Sequence, residues 1–168
     1  MIIYNSPRKD VQNIINKNNI QNIISIYSPN DRFEIFLNSN NLNLIRLCFN
    51  DINSPRDNLK LITQRDINKI IKFAEKLNQN AQVMCHCFAG VSRSIAITMV
   101  LCFLSNKDWT PMELSSVIKE KAPYANPNKL VLTQAGRVLK KEKYFDDLAN
   151  LFKNPKRVST GAAFSIEC

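Results

Sequence analysis

Cys87 and Arg93 are the two residues of this chain best suited to chemistry, and they stand six positions apart in the run Cys85-His86-Cys87-Phe88-Ala89-Gly90-Val91-Ser92-Arg93-Ser94. The run reads as the end of a short apolar strand, a tight loop and the first turn of an apolar helix. A helix N-terminus carries unpaired N–H groups and partial positive charge, so a loop feeding one is an anion site. Cys87 lies in that field. Helix N-termini and nearby cations bring cysteine pKa values down to roughly 3.5–7.5, so a thiolate nucleophile is expected there. Gly90 takes a side chain out of the loop and lets successive amides curl inward. Arg93 closes the ring with a planar fork that grips two oxygens at once, which a lysine cannot do. Together these residues describe a phosphate trap with a nucleophile in its floor.

The elements that must hold this trap follow from the apolar pattern. Residues 2 to 4 suit an edge strand, and Pro7 suits the opening turn of a helix to about Lys17. Residues 20 to 27 read as a buried strand stopped by Ser28-Pro29-Asn30-Asp31. Residues 32 to 41 read either as a loop over the core or as a short extra strand. Residues 42 to 49 read as a central strand that delivers Asn50-Asp51 at its end. Thr63 and Asp66 make a capping box for a helix with the stripe Ile67, Ile70, Ile71, Ala74 and Leu77. Residues 81 to 85 form the strand beneath the trap, and residues 93 to 104 the helix beyond it. Thr110-Pro111-Met112-Glu113 opens a helix to about Lys121, and Asn126-Pro127 one to about Lys140. A last helix over residues 144 to 152 precedes a tail, residues 153 to 168, with no assignable structure.

Strands alternating with helices predict one α/β domain: a mostly parallel sheet of four or five strands flanked by helices, with a helical C-terminal part. Ligands of such sheets bind beyond the carboxyl ends of the strands, and both Asp51 and Cys87 follow strands there. The acid and the nucleophile therefore share a cleft.

Composition narrows the function. A chain of 168 residues suits one domain, 1-168. Its net charge of +9 favours anionic partners. No zinc-finger spacing or stacking repeat points to nucleic acid, and no apolar run is long enough for a membrane span. The single histidine, His86, excludes a His-rich metal centre. Five cysteines are not arranged as a secreted disulfide framework. A reactive thiol, with no signal pattern at the start of the chain, predicts a cytoplasmic setting.

His86-Cys87-x-x-Gly90-x-x-Arg93-Ser94 resembles the signature of the cysteine-dependent protein tyrosine phosphatase superfamily, in its compact dual-specificity-like form. The runs Arg46-Leu47-Cys48-Phe49-Asn50-Asp51-Ile52 and Ala122-Pro123-Tyr124-Ala125-Asn126-Pro127-Asn128 also resemble small bacterial members. The resemblance implies that Cys87 attacks phosphorus and forms a phosphocysteine. It implies that Arg93 and the amides of Phe88, Ala89, Gly90, Val91 and Ser92 hold the phosphoryl oxygens, and that His86 orients the loop. By the same resemblance Ser94 stabilises the departing thiolate and Asp51 is the general acid, with Asp57 as the alternative. No cofactor and no metal is implied. The implied substrate is a phosphorylated protein, with phosphotyrosine alone or both kinds of phosphoresidue left open. The loop lacks the lysine common in phosphoinositide phosphatases, which weakens a lipid substrate. A sulfurtransferase or arsenate reductase, a small-molecule phosphatase and a non-catalytic phosphate-recognition module are the competing readings. Cys48 and Cys85 are candidates to form a reversible disulfide with Cys87.

Overall fold

The computed structural model describes residues 1–31 and 42–168. The reading of residues 32 to 41 lies outside the described residues. Five strands form one sheet: β1 (Ile2–Pro7), β2 (Asn22–Tyr27), β3 (Asn43–Cys48), β4 (Gln82–Cys87) and β5 (Phe164–Glu167), in the order β3-β2-β4-β1-β5. All neighbours are parallel except β5, which runs antiparallel to β1. The described helices are α1 (Val11–Asn18), α2 (Gln64–Ala74), α3 (Arg93–Ser105), α4 (Pro111–Lys121), α5 (Lys129–Leu139) and α6 (Glu142–Asn150), with a 3-10 turn at Arg8–Asp10. This is the α/β domain that the alternation of elements predicts.

Side-chain alternation along β4 decides what faces what. Val83, Cys85 and Cys87 point into the large core with α3, while Met84 packs on the opposite face with Val11, Ile15 and Ile23 under α1. A strand buried on both faces is apolar at most positions, as β4 is at four of its six. Helix α3 is buried from Arg93 to Phe103, so it is apolar all round rather than amphipathic. Its N-terminus therefore sits inside the protein, directly after the β4 end.

Five expectations change. Pro7 ends β1, and the α-helix it was read as opening begins at Val11, after the 3-10 turn Arg8–Asp10. β1 is not an edge strand, because the tail returns to cover it: Ile3 pairs with Ile166 and Asn5 with Phe164. β3 is an edge strand rather than a central one, and its residues are correspondingly less buried than those of β2. The start of α5 moves from Asn126-Pro127 to Asn128, whose side chain accepts the Val131 N–H at 3.0 Å. Asn126 is occupied elsewhere, with its N–H on Val91 O at 3.1 Å. Leu77 lies beyond the end of α2 but still packs against the core, and Phe73 takes a place in the buried stripe. Both capping boxes form: Thr63 with Asp66, and Thr110 with Glu113 behind Pro111.

Two cysteines to which the sequence reading gave no role are paired. Cys102 of α3 and Cys168, just past β5, form a disulfide with Cα atoms 5.3 Å apart. Cys48, Cys85 and Cys87 are free.

Candidate active site

Cys87 ends β4 and Arg93 begins α3, so residues 88 to 92 must turn the chain through a tight loop between a buried strand and a buried helix. Gly90 makes this possible. Its φ is +68°, in the left-handed region, and a Cβ there would lie 2.6 Å from Pro7 N and 2.9 Å from Ser6 C. Both obstacles are backbone, so no side-chain adjustment admits another residue.

The carbonyls of the loop are held from outside. Arg8 N–H donates to Phe88 O (3.2 Å), Gly161 N–H to Ala89 O (2.9 Å), Asn126 N–H to Val91 O (3.1 Å) and Asn128 N–H to Ser92 O (3.4 Å). In a trans peptide the N–H points away from the preceding C=O, so each outward carbonyl turns the next amide inward. One such amide is visible at work: Gly90 N–H donates to Cys87 Sγ at 3.3 Å. The loop is therefore a ring of inward donors above a buried sulfur, at the mouth of α3.

Ser94 Oγ lies 3.2 Å from Cys87 Sγ and 3.3 Å from Asn5 Oδ1, and Asn5 Nδ2 donates in turn to Thr98 Oγ1 at 3.1 Å. Ser94 and Asn5 are fully buried. This chain fixes the hydroxyl of Ser94 against the sulfur. Arg93 is 5% exposed. Its Nη1 donates to Ser28 Oγ at 3.0 Å and Phe49 O at 2.9 Å. Among the described residues nothing accepts from its Nε, so the Nε–Nη2 edge of the fork is the one left for an anion.

His86 points to the other face of the sheet from Cys87, with Nε2 2.6 Å from Ser25 Oγ. Burial, followed by the nearby Arg8 charge, pushes its pKa down to about 3, so the ring is neutral. Arg8 itself stacks over the Tyr27 and Phe88 rings, 5.4 and 5.5 Å from their centroids, and pairs with Asp31 at 3.1 Å. Burial works to raise the Asp31 pKa, but the Ser28 N–H, Arg8 and Arg93 outweigh it and hold the carboxyl below its ordinary range. Phe88 is 61% exposed, an aromatic side chain on the outer rim of the loop.

Asp51 follows β3 and reaches the loop: its Oδ1 accepts from Ser92 Oγ at 2.7 Å and from Asn128 Nδ2 at 2.8 Å. Asn128 Nδ2 also reaches Ile52 O at 3.3 Å. Asp51, Ser92, Asn128, Val158 and Ser159 line one cleft beside the loop. Asp57 is exposed in the same connection, and among the described residues nothing hydrogen-bonds its carboxylate. No group of three His, Cys, Asp or Glu side chains among the described residues is placed to hold a metal ion.

With this geometry in place, similarity to known proteins becomes informative. Residues 1–136 match the family model of the dual specificity phosphatase catalytic domain. The chain belongs to that family. Over 68 residues, 40% of the chain, it is 43% identical to the tyrosine-protein phosphatase yvh1 of Schizosaccharomyces pombe, and that match spans 19% of the yeast protein, about a fifth of its length. The crystal structure of DUSP15 superposes with a TM-score of 0.60 at 19% identity, covering 90% of this chain and 92% of that one. The human tyrosine phosphatase-like serine/threonine/tyrosine-interacting protein superposes with a TM-score of 0.63 at 18% identity, covering 82% of this chain and 91% of that one. At such identities the two structures speak for the fold.

Within this dual-specificity phosphatase domain, the structure brings Cys87, Ser94, Arg93, Ser92 and Asp51 together and leaves Asp57 apart. The sequence reading missed Asn5, Ser25, Ser28, Arg8, Asn128 and Gly161. Asn128 had a local signal, since it lies in the run 122–128 that resembles the family. Gly161 had another: the chain has only three glycines, and two of them meet at this loop. The other four carry no sequence signature, because their spacing from Cys87 is long and irregular.

The same geometry limits thiol partners. Cys48 is opposite Tyr27 on β2, and β2 separates it from β4. Two strand spacings put its Cα roughly 10 Å from β4, beyond the ~7 Å that a disulfide spans, so a Cys48–Cys87 bridge needs the sheet to open. Cys85 is fully buried, its Sγ 3.5 Å from Ser94 O, and burial followed by the charge of Cys87 drives its pKa far up. It is an inert core thiol.

Proposed function

We propose that this chain hydrolyses phosphotyrosine, and also phosphoserine and phosphothreonine, monoesters of proteins through a phosphocysteine intermediate. The observation that carries the reading is the set of contacts on one sulfur: Gly90 N–H at 3.3 Å and Ser94 Oγ at 3.2 Å, at the N-terminus of a buried helix whose first residue is Arg93. These are the groups that an attacking sulfur and a departing one would meet.

In the first step the Cys87 thiolate attacks phosphorus in line. The S–P bond forms as the P–O bond to the leaving group breaks, and Asp51 gives its proton to the departing oxygen. The equatorial oxygens carry the charge, and the inward amides of residues 88 to 93 and the Nε–Nη2 edge of Arg93 meet them without reorganising. In the second step water attacks phosphorus, Asp51 takes back a proton, and the S–P bond breaks. The electron pair returns to Cys87 Sγ, where the Ser94 hydroxyl, turning from Asn5 Oδ1, donates to the thiolate. Neutral His86, fixed on Ser25 behind the strand, acts as a positioning residue for the end of β4.

The nucleophile belongs to the protein, so the proposal requires no metal and no cofactor. The +9 charge, with Lys129 beside the cleft, supports a phosphorylated acidic segment as substrate. The thiolate chemistry supports a reducing, cytoplasmic setting, against which stands the Cys102–Cys168 disulfide. Among the described residues no helix is long and apolar enough to cross a membrane. The test is phosphate release from p-nitrophenyl phosphate and from phosphotyrosyl and phosphoseryl peptides. Turnover should survive EDTA, be blocked by orthovanadate and vanish in Cys87→Ser. Turnover that persists in Cys87→Ser would overturn the mechanism.

A further inference from the structure

Three of the four donors that hold the outward carbonyls of the loop lie within residues 1–136, the stretch the family model covers; the fourth, Gly161, lies beyond it. It belongs to the tail, which the sequence alone left without structure. We propose that residues 158 to 163 form a positioning strap for the anion-binding loop, with Gly161 as the residue that aims the Gly90 amide at Cys87. This rests on the functional reading only in taking Cys87 as a thiolate.

One peptide unit, Ala89–Gly90, links the strap to the sulfur. Gly161 N–H holds Ala89 O from outside at 2.9 Å, and across the same planar peptide Gly90 N–H donates to Cys87 Sγ from inside at 3.3 Å. Rotating that peptide would break both bonds at once, so the outer grip fixes the inner donor.

The strap is itself fastened at several points. Tyr124 OH donates to Ala162 O, and Tyr124 belongs to the same turn that supplies Asn126 N and Asn128 N to the loop. Beyond the strap, β5 pairs with β1 from Asn5↔Phe164 to Ile2↔Glu167, and Cys168 N–H donates to Met1 O at 2.9 Å. Position 161 accepts only glycine at this approach. A Cβ there would meet the Tyr124 ring and stand 3.0 Å from Gly90 O, so any side chain pushes the strap off the loop. Val158 and Ser159, at the start of the strap, stand in the wall of the cleft with Asp51 and Ser92. The strap thus touches both the back of the anion loop and the substrate side.

The test compares wild type, Gly161→Ala and Tyr124→Phe, reading the pH dependence of Cys87 alkylation by iodoacetamide (the site located by mass spectrometry), inhibition by orthovanadate, and the thermal midpoint. If the strap positions the loop, the pH profile of Cys87 alkylation moves to higher pH in Gly161→Ala, with reactivity on the acid side of the profile lowered by about tenfold, and moves less in Tyr124→Phe. Orthovanadate inhibition weakens by about tenfold in parallel. A merely structural tail would lower the thermal midpoint and leave the Cys87 profile and orthovanadate affinity at wild-type values, and that result overturns the proposal. Should Gly161→Ala fail to fold, Tyr124→Phe decides alone, since it removes only a hydroxyl: a shifted profile supports the strap and an unshifted one overturns it. Alkylation does not require turnover. A wild-type protein that releases no phosphate would therefore sink the enzymatic reading, while the alkylation comparison would still decide the strap.

Discussion

Ser92 Oγ donates to Asp51 Oδ1 at 2.7 Å, tying the acid that follows β3 to the loop that follows β4. The bond crosses between two connections whose strands are not neighbours, since β2 lies between β3 and β4. Asn128 Nδ2 reinforces it at 2.8 Å from the head of α5. Asp51 is thus tied to the loop between β4 and α3 from two sides.

Replacing Asp51 by Asn keeps an oxygen to accept from Ser92 and Asn128 but removes the proton. Turnover of substrates with poor leaving groups should fall by roughly 10²–10⁴-fold, and activated aryl phosphates should suffer much less. Asp57→Asn should leave both rates near wild type, as its carboxylate is exposed away from these contacts. A leaving-group series on the two variants checks this, and the reverse pattern would mean that Asp57 is the acid.

Ser94→Ala removes the hydroxyl 3.2 Å from Cys87 Sγ without disturbing the ring of amides. Formation of the phosphocysteine should be nearly unchanged and its breakdown slowed by about 10–100-fold, because only the second step expels a thiolate. Rapid-mixing measurements should show a burst of one equivalent of nitrophenol followed by a slow phase. Equal slowing of both phases would place Ser94 elsewhere in the cycle.

His86 couples the site to pH through stability. Its pKa is about 3 when folded against an ordinary 6.5, so between those values the unfolded chain binds the extra proton. Stability is then complete above about pH 6.5 and declines as pH falls toward 3, with a slope approaching one proton, about 1.4 kcal/mol per pH unit. Urea unfolding at pH 7 and pH 5 should show the loss, and His86→Asn should flatten this component. An unchanged slope in the variant would assign the acid sensitivity to carboxylates instead.

Gly90→Ala should be costly twice over. The φ of +68° strains any other residue, and the new methyl meets the backbone of Ser6 and Pro7. A destabilisation of about 1–3 kcal/mol is expected together with loss of orthovanadate binding, because the loop must shift to relieve the clash. Calorimetry and inhibition assays on the same sample would separate the two effects; full orthovanadate affinity would show that the loop tolerates another shape.

Cys87 and its loop were legible in the sequence because they are local. A β-strand, a glycine at the turn, an arginine and an apolar helix occupy consecutive positions, and the helix terminus brings its field wherever it forms. The capping boxes at Thr63 and Thr110 were legible for the same reason: cap and capped amide are three residues apart. The sheet order was not. An apolar strand of six residues looks alike at the centre or the edge, and only pairing partners decide, so β1 and β3 exchanged their expected places. The tail was opaque because the pattern Phe164-Ser165-Ile166-Glu167 is a strand only when β1 offers it an edge, more than 150 residues away in the chain. The residues that finish the site are of the same kind. Asn5 reaches Ser94, Asn128 reaches Asp51 and Gly161 reaches Ala89 across sequence gaps that no spacing rule spans. The sequence by itself determined that Cys87 ends a strand at the mouth of an apolar helix whose first residue is Arg93. The tertiary structure decided which distant groups hold the acid, the hydroxyl and the loop amides in place, because a hydrogen bond needs its partners within about 3 Å, wherever in the chain they originate.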